Sequence, residues 1–181
     1  NPDSKVLLTT FSITLANQLR RKMACLVGNE PEVAKRIVVR AIDEVGLDVY
    51  ESQHGKPRVA TPKMVMTILD QLCREKDVGR FGLRFIEREW TDVVDAWQLS
   101  TWETYRDVAR LGRKTRLGEK QREQLWQVFD DLRARLEERG LMTMPMVFEA
   151  ATKALSHPGH RPADYAVVDE AQDIGVAQLR F

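Results

Sequence analysis

Tyr165-Ala166-Val167-Val168-Asp169-Glu170-Ala171-Gln172-Asp173 constrains this chain more than any other stretch, because four apolar or aromatic residues run without a break into an acidic cluster. A continuous apolar run, in place of the alternation of a half-solvated strand, is the pattern of a parallel strand covered on both faces. In open α/β sheets the working residues lie beyond the carboxyl ends of the strands, which is where Asp169 and Glu170 fall. Two more strands are predicted, one over Lys5 to Thr10 and one over Arg36-Ile37-Val38-Val39-Arg40-Ala41-Ile42.

Helices are predicted between and after them. Thr10-Phe11-Ser12 turns the first strand into a helix over Ile13 to Val27 with Ser12 as its N-cap. Leu15, Leu19, Met23 and Leu26 share one face of that helix, Arg20, Arg21 and Lys22 lie away from it, and Gly28-Asn29 ends it. The second strand runs into a helical stretch reaching Tyr50. Strand, helix, strand, helix predicts a parallel α/β layout.

The character changes between Gln53 and Pro57, and from there to Gly140 only helical patterns occur. Thr61-Pro62 caps and opens a helix reaching Lys76. Ser100-Thr101-Trp102-Glu103 reads as a capping box. The longest pattern, Glu119 to Arg139, sets Leu125, Phe129, Leu132 and Leu136 on one face and stops at Gly140. Trp90, Trp97, Trp102 and Trp126 all fall in this block, and at helical spacing indoles fill cores. A last helix over Pro145 to Leu155 leads into Ser156-His157-Pro158-Gly159-His160-Arg161-Pro162, a Pro/Gly loop whose histidines read as surface connection rather than metal ligands. The expected organisation is therefore residues 1–54 as the first part of an α/β frame, 55–140 as an all-helical insertion, and 141–181 as the return helix and acidic strand.

Composition limits the partners. Charged residues make up 30% of the chain but balance to a net charge of +1, so any polyanion surface is local. Arg106 to Arg122 is that locality, with seven basic residues against two acids. Cys25 and Cys73 are too few for a disulfide framework and are expected as small buried hydrophobes, which suits a reducing, cytoplasmic setting. No apolar run approaches the roughly 18 residues of a membrane span, and no membrane partner is expected. The start without methionine and an end inside the amphipathic stretch Gln178-Leu179-Arg180-Phe181 predict a piece of a longer chain.

The pentapeptide Asp169-Glu170-Ala171-Gln172-Asp173 resembles the Walker B motif of UvrD/Rep-type superfamily 1 DNA helicases, in which the apolar strand and its Asp-Glu pair continue into Gln and Asp. Leu7-Leu8-Thr9-Thr10-Phe11-Ser12, with Leu15-Ala16 after it, resembles the second conserved segment of that family, a strand-to-helix turn that touches single-stranded DNA. The resemblance implies a partial P-loop NTPase, a RecA-like parallel sheet with a helical subdomain inserted, helix-rich overall. It implies ATP and Mg²⁺ as cofactors, with Asp169 on the metal, Glu170 orienting and deprotonating water, and Gln172 sensing the γ-phosphate; Asp173 is expected to stabilise the turn. Thr10, Phe11 and Ser12 are the implied DNA contacts, and a helix N-terminus with hydroxyl donors and an aromatic ring suits a phosphate and a base. Arg113, Lys114 and Arg116, in the loop Leu111 to Gly118, are expected to track a phosphate backbone.

Two departures qualify the resemblance. The family's next segment would fall at Arg40-Ala41-Ile42-Asp43-Glu44, where its Thr, His and Ser are missing. A phosphate loop is also missing: Gly112-Arg113-Lys114-Thr115 lacks Gly directly before Lys, and His54-Gly55-Lys56-Pro57 has Pro in place of the hydroxyl residue. The loop's lysine is expected upstream of Asn1 and the completing arginines beyond Phe181, so the fragment itself is expected to be inactive. The implied parent is an ATP-dependent DNA helicase of repair or recombination, nucleoid-associated. It would act on single-stranded DNA and single-strand/duplex junctions, with repair or recombination proteins as partners. A helicase-like interaction or remodelling subunit without unwinding activity, and the motor part of a helicase-nuclease, are the alternatives.

Overall fold

The computed structural model describes residues 3–110, 112–113, 115–156 and 161–181, and the chain divides into two units, Asn1–Pro57 with Val147–Phe181, and Arg58–Met146.

The first unit is α/β. Its strands β1 (Val6–Thr10), β2 (Ile37–Ala41) and β3 (Tyr165–Val168) form a parallel sheet in the order β2-β1-β3, with Val6 opposite both Ile37 and Tyr165. Helix α1 (Ile13–Val27) starts where its cap predicts, the Ser12 hydroxyl oxygen accepting from the Leu15 N–H at 3.2 Å. Arg20 Nε donates to the Val39 carbonyl at 2.9 Å and ties α1 to β2. A short helix α2 (Pro31–Ala34) precedes β2, and α3 (Ile42–His54) follows it, longer than the sequence predicts. Gly46 lets α3 approach the return helix α8 (Met144–Leu155): a Cβ there would lie 2.8 Å from Phe148 Cζ. The 3₁₀ turn Ala171–Asp173 and helix α9 (Val176–Arg180) follow β3.

Three expectations for this unit are corrected. The strand expected to be covered on both faces is an edge strand: among the described residues β3 pairs with β1 alone, all four of its residues are exposed, and Tyr165 keeps 60% and Val167 52% of its surface. Leu26 is 77% exposed although it shares the apolar face of α1. In the last turns of α1 it is Met23 and Val27 that are half-buried, lining a cleft with Ile37 and Val38 of β2, while Leu26 faces out. Cys25, in the same turn, is exposed and Cys73 half-buried, so neither is the fully buried hydrophobe expected.

The second unit is helical: α4 (Pro62–Glu75), α5 (Leu83–Glu89), a π-helical turn Trp90–Asp95, α6 (Trp102–Asp107) and α7 (Glu119–Glu138). The Thr61 cap holds, its Oγ1 accepting from the Met64 N–H at 3.3 Å, and Gly140 takes φ 61° to end the long helix. The box that opens α6 is displaced by one residue, with Thr101 and Thr104 exchanging bonds rather than Ser100 and Glu103. Leu125, Phe129, Leu132 and Leu136 are all fully buried, against Ile68, Leu69, Leu72, Ile86 and Trp90. Trp97, Trp102 and Trp126 pack partly buried around that core, as filling a core requires. The two ends of the unit are pinned together, Ala60 N–H to Met142 O at 2.8 Å and Met142 N–H to Arg58 O at 3.0 Å, so the chain leaves and re-enters at one place. Among the described residues no helix is long and apolar enough to cross a membrane.

Candidate functional site

The carboxyl edge of the sheet brings the two motifs together. Val168 pairs with Thr9, and one residue further the Asp169 N–H donates to the Thr9 carbonyl at 2.8 Å. The acidic turn therefore stands beside the Thr10-Phe11-Ser12 turn that opens α1. Parallel pairing is what makes this possible, because both strands then point their carboxyl ends the same way.

Glu170 has φ 52° and ψ 46°, the left-handed region, where a residue with a Cβ costs on the order of 1–2 kcal/mol. Strain of that kind collects at ligand clamps and catalytic sites. The Glu170 carboxylate accepts a hydrogen bond from the Gln172 side-chain amide, and the turn closes through the backbone, Asp173 N–H to Glu170 O at 2.9 Å. Asp173 thus holds the turn by its main chain. Asp169 is half-buried and makes no side-chain hydrogen bond or ion pair among the described residues; Glu170 and Gln172 are exposed.

Magnesium takes hard oxygen ligands, usually one or two carboxylates with water and phosphate oxygens completing the octahedron. The free carboxylate of Asp169 fits that demand. Among the described residues no group of three or more His, Cys, Asp or Glu side chains could form an all-protein metal cage.

On the neighbouring turn, Phe11 keeps 40% of its surface exposed, enough to meet a flat ring, and the Ser12 hydroxyl caps α1. Thr10 corrects the sequence expectation. It is 0% exposed, and its hydroxyl, like that of Thr9, is buried without a hydrogen-bond partner among the described residues, so it offers no surface donor to a strand of DNA. At the position of the family's next segment, Glu44 accepts from the Ala41 N–H at 3.1 Å and Arg40 pairs with Asp48, so these residues cap α3.

The basic segment of the helical unit is largely committed to structure. Arg110 donates to both carboxylate oxygens of Glu89 at 2.6 Å, Arg113 reaches Asp92 at 2.8 Å and Glu89 at 3.4 Å, and Arg106 pairs with Asp107. Arg122 donates to the carbonyls of Tyr105, Arg106 and Val108. Glu89 is wholly buried and also accepts from the Tyr105 hydroxyl at 3.1 Å; burial, then the negative charge of Glu89, pushes the Tyr105 phenol far up. Of the expected phosphate contacts, Arg113 is thus ion-paired, Arg116 is exposed, and Lys114 lies outside the described residues, as do His157 and His160. Sequence reading missed Arg84 and Arg88 of α5, which line a cleft together with Arg110 and Arg113. Their spacing of four on one helix was the available signal.

No protein-family model matches the chain, and no curated protein matches it.

Proposed function

We propose that this chain is part of the first RecA-like motor domain of a UvrD/Rep-type DNA helicase, carrying the magnesium and water side of an ATP site. The observation that supports it best is the bond between Asp169 N–H and Thr9 O, which sets the Asp-Glu turn beside the Thr-Phe-Ser turn at one sheet edge although the whole helical unit separates them in sequence. Coupling nucleotide hydrolysis to movement on DNA requires that adjacency. In this reading Asp169 holds Mg²⁺, Glu170 orients the attacking water and accepts its proton, and Gln172, already bonded to Glu170, couples the γ-phosphate to the DNA side. Phe11 and the N-terminus of α1 meet single-stranded DNA, while Thr10 sets the turn from beneath.

The phosphate cradle is absent from the sequence, so hydrolysis belongs to a longer chain that supplies it. Residues 1–181 alone are expected to give no ATP turnover above background with or without single-stranded DNA, whereas the parent chain is expected to show DNA-stimulated turnover. A steady-state phosphate-release assay checks both. Turnover by the 181 residues alone, or a parent that does not hydrolyse ATP on DNA, would overturn the reading.

A further inference from the structure

In the helical unit, Arg84, Phe85 and Arg88 of α5 face Arg110, Arg113 and Thr115 across a cleft of about 550 Å³. Two of the arginines are fixed from below. The Arg110 side chain is 5% exposed and held by both oxygens of the fully buried Glu89, and Arg113 is shared between Glu89 and Asp92. Arg110 also donates to the Thr115 carbonyl and so forms the floor of the cleft, while Arg113, anchored by Glu89 and Asp92 but partly exposed, keeps its remaining N–H donors in one orientation, which lowers the cost of meeting a ligand. Phe85, stacked on Phe81 with ring centroids 4.7 Å apart, adds apolar surface to the lining.

Arg84 and Arg88 are exposed and form no ion pair among the described residues. They are four apart on one helix, where like charges repel. With four arginines on the cleft and the carboxylates of Glu89 and Asp92 already engaged, two positive charges stay uncompensated among the described residues. A phosphodiester brings one negative charge. A phosphomonoester brings about −1.5 to −2 at neutral pH and three acceptor oxygens, a match for paired guanidinium forks.

We propose that this cleft binds a phosphomonoester dianion, either free phosphate or the terminal phosphate of a nucleic-acid strand. The site uses nothing of the acidic strand end, so its failure would leave the motor reading untouched.

The test uses residues 1–181 at low ionic strength. Inorganic phosphate is titrated by calorimetry, and labelled oligonucleotides ending in a phosphate or in a hydroxyl are titrated by fluorescence anisotropy. Arg84→Gln/Arg88→Gln is expected to weaken phosphate binding by about tenfold or more. Arg74→Gln, at an exposed arginine of α4 paired with Asp70, is expected to leave it unchanged. Tighter binding of the phosphate-ended strand than of the hydroxyl-ended one assigns the ligand to a nucleic-acid terminus. Phosphate binding with no difference between the strands assigns it to free phosphate. Absence of phosphate binding, or a double variant that binds as the parent does, overturns the proposal; circular dichroism of both variants confirms that the fold is kept.

Discussion

The helical unit and the sheet unit solve the problem of burial differently. Of the largest fully buried side chains, all but Phe148 belong to the helical unit, where Trp90, Tyr105 and Phe129 interlock with centroid separations of 5.7 and 5.8 Å. In the sheet unit a whole apolar strand, β3, stays exposed, and two threonine hydroxyls at the end of β1 are buried without partners among the described residues. The helical unit is finished on its own terms, with its ends pinned at Ala60 and Met142. The sheet unit carries the candidate chemistry and has unspent apolar surface. Most of the closely packed core and the candidate carboxylate site thus lie in different parts of one chain, and substitutions should separate them.

The largest effect is expected in the helical core. Phe129→Ala removes a fully buried ring that touches both Trp90 and Tyr105 and should lower unfolding stability by about 3–5 kcal/mol, read by urea denaturation followed through tryptophan fluorescence. A loss under about 1 kcal/mol would contradict the picture of a tightly packed unit.

The next effect depends on pH. Asp95, at the end of the π-helical turn, accepts a hydrogen bond from Thr143 Oγ1 at 2.7 Å, and burial pushes its carboxyl up to about 6, against the lowering by Thr143 and Arg133. The fold therefore favours the protonated acid. Its contribution to stability is present below the unfolded value near 4 and is lost as pH rises through about 6, by up to about 3 kcal/mol. Asp95→Asn, which stays neutral, should match the parent at pH 4 and exceed it in stability at pH 7.5. Denaturant midpoints measured across that range check the sign, and a variant less stable at pH 7.5 than the parent would refute it.

The smallest effect is expected on the exposed sheet edge. Val167→Thr replaces a side chain that is already 52% exposed and should change stability by no more than about 0.5 kcal/mol in residues 1–181. A loss approaching that of Phe129→Ala would show β3 to be as closely packed as the helices and would erase the contrast.

What the sequence made legible follows from how local each signal is. Ser12 before Ile13, Thr61 before Pro62 and Gly140 after the long apolar stripe act within one helical turn, and each marks its boundary in the structure. The three strands and the longer helices were legible for the same reason, whereas the short helices α2 and α5 were not. Burial of β3 was not, because Tyr165 to Val168 reads the same whether a neighbour covers it or not, and cover is a tertiary property. The fate of the arginines was equally hidden. Counting charges between Arg106 and Arg122 gives a basic patch, but Glu89 and Asp92, which hold Arg110 and Arg113, come from the α5 region more than a dozen residues upstream. Thr10 was read as a surface donor because the motif supplies a residue type; only the end of β1 decides which way its hydroxyl turns. The π-helical turn Trp90–Asp95 has no periodicity that a 3.6-residue pattern would register.

Glu170, held in a left-handed turn at the carboxyl edge of β3, is proposed as the base of an ATP site whose DNA side is the neighbouring Phe11 turn. The most direct measurement is on the parent chain carrying Glu170→Gln, comparing DNA-stimulated ATP hydrolysis with Mg²⁺·ATP binding. Loss of a positioned general base predicts a fall in turnover of about 10²–10⁴-fold with nucleotide binding kept. Turnover equal to that of the unsubstituted parent would remove Glu170 from the chemistry and contradict the account.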